Sequence, residues 1–345
     1  MQDGKKQCKI LKKMMNKNIL YTSGMLLAGL LLTACSNGDW EDNLRDTIDQ
    51  GGNNGKTSVY FAMQAPIRTI TLGNDDDADN TDDNNHQFKL MATWGGGYKN
   101  NKDCKISYEV KPSLLELGSG MEVLPSSHYT LEDPSTLTIP AGKVMGGTVV
   151  RLTDAFFNDP KAVQAHYVLP VQMTASLTGD SIIKDKSTQL ICVKFMNHFS
   201  GMYCKTGTTK VQGGTTTTHK NQDGLDNVSS VALNASKVTY SYPVKEWKDG
   251  ELIDAKKEVE LTLSFAADGS CQVLQDGKAI GTGSFTARGI QDFSDSKRMA
   301  DCLKLKFTAS IVTNPGDADH EKTWTVDCDY VMSMMSRGNK LESWK

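Results

Sequence analysis

Apolar and polar residues alternate in short runs along most of this chain, and a period of two marks strands with one buried face. In the first half, Val59, Phe61 and Met63 alternate with smaller or polar neighbours, and residues 67–72 stay extended in character. Phe88, Leu90 and Ala92 follow, then Ile106, Tyr108 and Val110, and later runs at 137–139, 149–152, 167–173 and 189–195. Pro170, inside one of these runs, belongs at an edge or a bulge. The alternation is strongest in the second half: Val259, Leu261, Leu263, Phe265; then Leu303, Leu305, Phe307, Ala309, Ile311; then Trp324, Val326, Cys328, Tyr330, Met332. Asp249-Gly250, Asp268-Gly269 and Asp276-Gly277 supply the positive-φ positions of tight hairpins. Long stretches with helical period are absent. The pattern predicts an all-β protein with an immunoglobulin-like sandwich over 57–197. Over 198–345 it predicts an antiparallel unit, a second sandwich or an open barrel.

The leader reads differently. Lys12, Lys13 and Lys17 precede an apolar run, Met25 to Leu32, which is followed by Thr33-Ala34-Cys35. A basic region, a short apolar region and small residues before a cut form a secretory signal, here over residues 1–34. Leu32-Thr33-Ala34-Cys35 resembles the lipobox of bacterial lipoproteins, which implies that Cys35 is lipidated and that the chain meets a membrane through that anchor. Acyl chains contribute roughly 0.8 kcal/mol per buried CH2, so several on one cysteine give durable attachment. Residues 35–56, rich in Asn, Asp and Gly, read as the lipidated cysteine and a flexible linker. Asp39, Glu41 and Asp42 lie soon after Cys35 and resemble a surface-export signal of Bacteroidetes lipoproteins. Asp46-Thr47-Ile48 and Asp180-Ser181-Ile182 resemble the short O-glycosylation motif of that phylum.

The 345 residues carry a net charge of −3. Residues 1–34 hold six lysines and one aspartate, so the part beyond them is more acidic, at −8. A mildly acidic chain argues against nucleic acid as a partner, since phosphate recognition needs a basic face. Eight cysteines reduce to six beyond the leader and Cys35: Cys104, Cys192, Cys204, Cys271, Cys302 and Cys328. Export permits disulfides, and buried thiols in strands are an equal alternative. Asp75, Asp77 and Asp79 have the opening spacing of a calcium loop, but Asn80 replaces its turn glycine and His86 its bidentate glutamate. A solvated hairpin loop is the better reading, and no metal or cofactor is expected.

Several short motifs together resemble a two-domain family of Bacteroidetes lipoproteins from polysaccharide-utilisation loci. In the first half these are Ser58-Val59-Tyr60-Phe61-Ala62, Pro66-Ile67-Arg68-Thr69-Ile70, residues 97–103, Tyr129-Thr130-Leu131, Ile139-Pro140-Ala141-Gly142 and Tyr167-Val168-Leu169-Pro170. In the second they are Ser200-Gly201-Met202-Tyr203 and the closing Asp329-Tyr330-Val331-Met332 with Arg337-Gly338 and Glu342. Both domains of that family are domains of unknown function. The resemblance implies glycan capture at the cell surface, lipid-anchored in the outer membrane beside an importer complex.

No nucleophile elbow, zinc-protease helix motif, phosphate loop or dinucleotide glycine fingerprint occurs, and no catalytic residue is assigned. Sugar binding asks for exposed aromatic planes against the apolar faces of pyranose rings, with amides and carboxylates for the hydroxyls. Trp94 and Tyr98 flank three glycines that would let a ligand approach the backbone. Trp247 sits beside a hairpin turn among charges, and Tyr240 and Tyr242 on the preceding strand are spaced for one face. These five are the glycan-binding candidates. The rival readings are a structural, assembly or adhesin subunit and, further off, a glycoside hydrolase working through two carboxylates.

Overall fold

The structure, a computed structural model, describes residues 57–97, 99–116, 120–214, 216–338 and 342–344. The leader, Cys35, Asp46-Thr47-Ile48 and the linker lie outside the described residues. The all-β expectation holds: strands dominate, and among the described residues the two α-helices, α1 (Thr81–Asn84) and α2 (Asp154–Phe157), are single turns. The strands form two separate units, one of residues 57–196 with the last residues of the chain, the other Asn197–Gly338.

The first unit contains β1 (Ser58–Tyr60), β2 (Pro66–Thr71), β3 (Gln87–Gly95), β4 (Cys104–Val110), β5 (Glu122–Val123), β6 (Tyr129–Leu131), β7 (Thr136–Ile139), β8 (Met145–Leu152), β9 (Tyr167–Ser176), β10 (Ser181–Ile182) and β11 (Thr188–Met196). Its pairings run β10-β1-β3-β8-β7-β4-β9-β11-β2. The path turns at β7, whose ladder with β8 is the single pair Thr138–Gly147. Glycine is required there: a Cβ on Gly147 would meet the Leu90 carbonyl oxygen at 1.7 Å, and one on Gly146 the Thr138 carbonyl oxygen at 2.4 Å. Inward positions of the alternating runs, such as Val59, Leu90, Ile106, Leu137 and Val150, are fully buried. Parallel pairing of β2 with β11 and of β1 with β10 ties the beginning of this unit to its end.

The second unit is a meander of long strands: β12 (Gly201–Val211), β13 (Thr216–His219), β14 (Asp226–Ala232), β15 (Ala235–Lys248), β16 (Glu251–Phe265), β17 (Ser270–Gln275), β18 (Lys278–Gln291), β19 (Met299–Thr313) and β20 (Lys322–Ser336). Of the alternatives the pattern left open, this is the barrel. β20 pairs with β12 over nearly the whole of β12, and β14 bridges β12 to β15. That bridge is short. Residues 226–228 pair with 201–203, and 229–232 with 235–237, and among the described residues no strand pairs with the outer edge of β15 beyond Lys237. The barrel is open along that seam. Its interior is filled rather than hollow, because Leu261, Leu263, Val273, Leu303, Leu305 and Val326 point inward with no more than 1% exposure. A strand β21 (Glu342–Ser343) ends the described chain, paired to β2 of the first unit.

Candidate functional site

The aromatic candidates part company in the fold. Trp94 on β3 is 6% exposed, and its Nε1 donates to Asp180 Oδ1 at 3.0 Å. The neighbouring glycines serve that ring rather than a ligand: a Cβ on Gly97 would sit 3.0 Å from the Trp94 indole. Trp94 is therefore core and offers no sugar platform. Tyr98 lies outside the described residues. Tyr240 and Tyr242 share one face as expected, but it is the inner face of the barrel, where they are 4% and 3% exposed. Their hydroxyls meet sulfur, Tyr240 on Met332 Sδ at 3.6 Å and Tyr242 beside Cys328 Sγ at 3.4 Å, and burial pushes both phenols well up. Neither presents a ring to a ligand.

Trp247 is different. It stands one residue from the end of β15, where the Asp249-Gly250 turn (φ 51° and 87°) closes the hairpin. A two-residue turn makes Lys248 and Glu251 the hydrogen-bonded pair, so the backbone of Trp247 faces away from β16. Asn314, at φ 52° after β19, takes up those groups. Its Oδ1 accepts from Trp247 N at 2.9 Å and its Nδ2 donates to Trp247 O at 2.7 Å, so one side-chain amide stands in for a neighbouring strand. Gln275 does the same for Ser310, accepting from its N at 2.9 Å and donating to its O at 2.6 Å.

The indole is fixed as well. The His320 ring stacks on it at 4.4 Å and 12°, and His320 Nδ1 donates to Asp317 Oδ2 at 2.9 Å. That bond, with the Asp319 N–H, holds the Asp317 carboxyl below its ordinary value. Trp247 keeps 36% of its surface open, its cross-strand partner Leu252 keeps 57%, and Val312 near the end of β19 keeps 45%. A rigid aromatic ring, backed on one face and paired across the hairpin with exposed Leu252, can stack on an apolar ring face with little entropy left to lose.

Sequence reading missed a second cluster, inside the barrel near the seam. Lys205 Nζ lies 3.0 Å from Asp226 Oδ1 and sits over the rings of Tyr240 and Tyr330, at 4.6 and 5.3 Å. Thr209 Oγ1 bonds both His219 Nε2 at 2.7 Å and the Tyr330 hydroxyl at 2.6 Å. Burial raises the Asp226 carboxyl, and Lys205 opposes that shift. The run Lys205-Thr206-Gly207-Thr208-Thr209 has no apolar member to reveal which side faces in. The Ser200-Gly201-Met202-Tyr203 motif and Arg337 prove structural. Arg337 Nη1 donates to the carbonyls of His198 (2.9 Å) and Ser200 (2.8 Å), and Asn197 Nδ2 to those of Ala232 (2.7 Å) and Ala235 (2.8 Å). All six cysteines are buried thiols in strands.

A family model described as a "-like, N-terminal domain" matches residues 53–179. A crystal structure of a Bacteroides ovatus structural-genomics protein of unknown function is 27% identical, at TM-score 0.69, over 84% of this chain and 98% of the other. This chain is built like that Bacteroides protein. A second B. ovatus protein of unknown function is 14% identical at TM-score 0.43, covering 83% of this chain and 99% of its own. A third, a multidomain protein including DUF1735, is 15% identical at TM-score 0.40, with the same coverage. No curated protein matches the chain.

Proposed function

We propose that this protein is a non-catalytic, surface-exposed lipoprotein that holds glycan at Trp247 and assists polysaccharide capture beside an outer-membrane importer. The single observation behind the binding role is the Trp247 ring, open on the barrel rim while its backbone and one face are locked by Asn314 and His320. The lipid anchor rests on Leu32-Thr33-Ala34-Cys35, and the setting rests on the family resemblance in its motifs. The rival, an adhesin or assembly subunit, draws support from exposed Leu252, the cross-strand partner of the same ring.

Affinity electrophoresis in gels holding laminarin, xylan or galactomannan tests the binding role. The native protein is expected to be retarded by at least one of them. Trp247→Ala should keep its fold by circular dichroism and bind about tenfold more weakly, the scale of one lost stacking contact, about 1–1.5 kcal/mol. Equal mobility of variant and native protein in a retarding gel would remove this site.

A further inference from the structure

A shallow groove of about 470 Å³ crosses the outer wall of the barrel, lined by Thr208, Lys210, Lys306, Thr308, Asp327 and Asp329. The register of β19 on β20 aligns its outward residues in rungs: Lys306 with Asp329, Thr308 with Asp327, Ser310 with Thr325, and Val312 with Thr323. β12 extends two of the rungs, placing Thr208 beside Asp329 and Lys210 beside Asp327. Following the outward positions of β19 from Lys306 to Val312 covers about 20 Å. The next residue but one is Asn314, whose amide grips Trp247.

From this alignment we infer that the β19–β20 outer face is a second subsite, holding further units of an uncharged, hydroxyl-rich polysaccharide whose one ring stacks on Trp247. The inference rests on the glycan reading of Trp247 and names its substrate class. Charge argues for a neutral chain. Each lysine of the groove has an aspartate on the neighbouring strand, with Lys306 Nζ 3.9 Å from Asp329 Oδ2, so the groove has no net field to select uronate or sulfate. Ammonium and carboxylate groups in alternation instead offer donors and acceptors together, which suits hydroxyls that are both. Thr308 Oγ1, bonded to Asp327 Oδ1 at 2.7 Å, adds a hydroxyl to the same row. A protein partner fits less well, because protein interfaces deplete their centres of lysine and aspartate. The length of the track, well beyond one sugar ring, points to capture along the interior of a chain.

The test uses the full chain, with laminarin, xylan and galactomannan as neutral probes and polygalacturonate as an acidic one. A trisaccharide of whichever neutral polymer retards the protein is then titrated calorimetrically. Lys306→Ala/Asp327→Ala is expected to weaken polymer binding about fivefold or more, the scale of one or two lost hydrogen bonds. It should leave trisaccharide binding at Trp247 within about twofold. Unchanged polymer binding by this double variant would overturn the subsite while leaving Trp247 in place. Retardation by polygalacturonate alone would overturn the neutral class. Retardation by none of the polymers would remove the Trp247 reading and the subsite with it.

Discussion

Asp180 shows how much one side chain in this protein is asked to hold. Its Oδ1 accepts from Thr57 Oγ1 at 2.6 Å and Trp94 Nε1 at 3.0 Å, and its Oδ2 from Thr178 Oγ1 at 2.7 Å and Cys104 Sγ at 3.2 Å. Burial by itself would raise this carboxyl, but the four donors outweigh it and bring it down to about 2. A depressed folded value means the stabilisation is complete above about pH 4, the unfolded value, and is lost as pH falls toward 2. Asp180→Ala should therefore cost about 2 kcal/mol or more at pH 7 in urea unfolding, and the gap from the native protein should narrow at pH 2.5. A pH-independent gap would contradict this. Arg337, 2% exposed and facing Asp301 at 3.5 Å, is the counterpart in the barrel unit. Arg337→Met takes the counter-charge from a buried carboxylate and should cost about 3–5 kcal/mol, read as a lowered thermal midpoint.

At the scale of elements, β15 carries the sharpest conflict. It is long and regular, yet its outer edge from Val238 onward has no strand neighbour among the described residues. Such an edge invites pairing with another molecule. Pro243 shares the parity of Trp247, so it presents no N–H to that edge, and Lys245 adds a charge there. Pro243→Thr restores the missing donor, and the variant is expected to self-associate at concentrations where the native protein does not, as seen by light scattering. Unchanged mass would mean that the seam is guarded some other way. The prolines show what was legible at this scale. Pro170, expected at an edge or a bulge, stands inside β9, opposite Leu190 of β11 and with its carbonyl accepting from Lys111 N. Pro243, on the open edge of β15, carried that signal unread. The hairpin turns were legible as well, since Asp249-Gly250 and Asp276-Gly277 take positive φ at both positions. What could not be read was the stapling of β19 by Gln275 and of β15 by Asn314, because an amide that replaces a strand leaves no periodic trace.

Over the whole molecule, two all-β units make up the described residues, and the expected leader and linker lie outside them. The expected surface role depends on Cys35. Cys35→Ala should abolish metabolic acyl labelling and move the protein from the membrane to the soluble fraction; unchanged membrane retention would refute the anchor. The alternating series in 259–265, 303–311 and 324–332 fixed which residues are core, since each inward member is buried. Residue types alone did not separate platforms from packing. Trp94, Tyr240, Tyr242 and Trp247 are all aromatic residues near turns or on strands, and only Trp247 keeps an open ring.

Local interactions are what a sequence encodes directly: period two, turn chemistry and the apolar leader ending in Cys35 follow from neighbours a few residues apart. Strand order, the open seam, the inward turn of Lys205 toward Asp226 and the clamp of Asn314 on Trp247 join residues far apart in the chain. Closing the sheet decided which aromatic faced water, and that decision belongs to tertiary packing because burial is a property of the assembled sheet and not of any one strand.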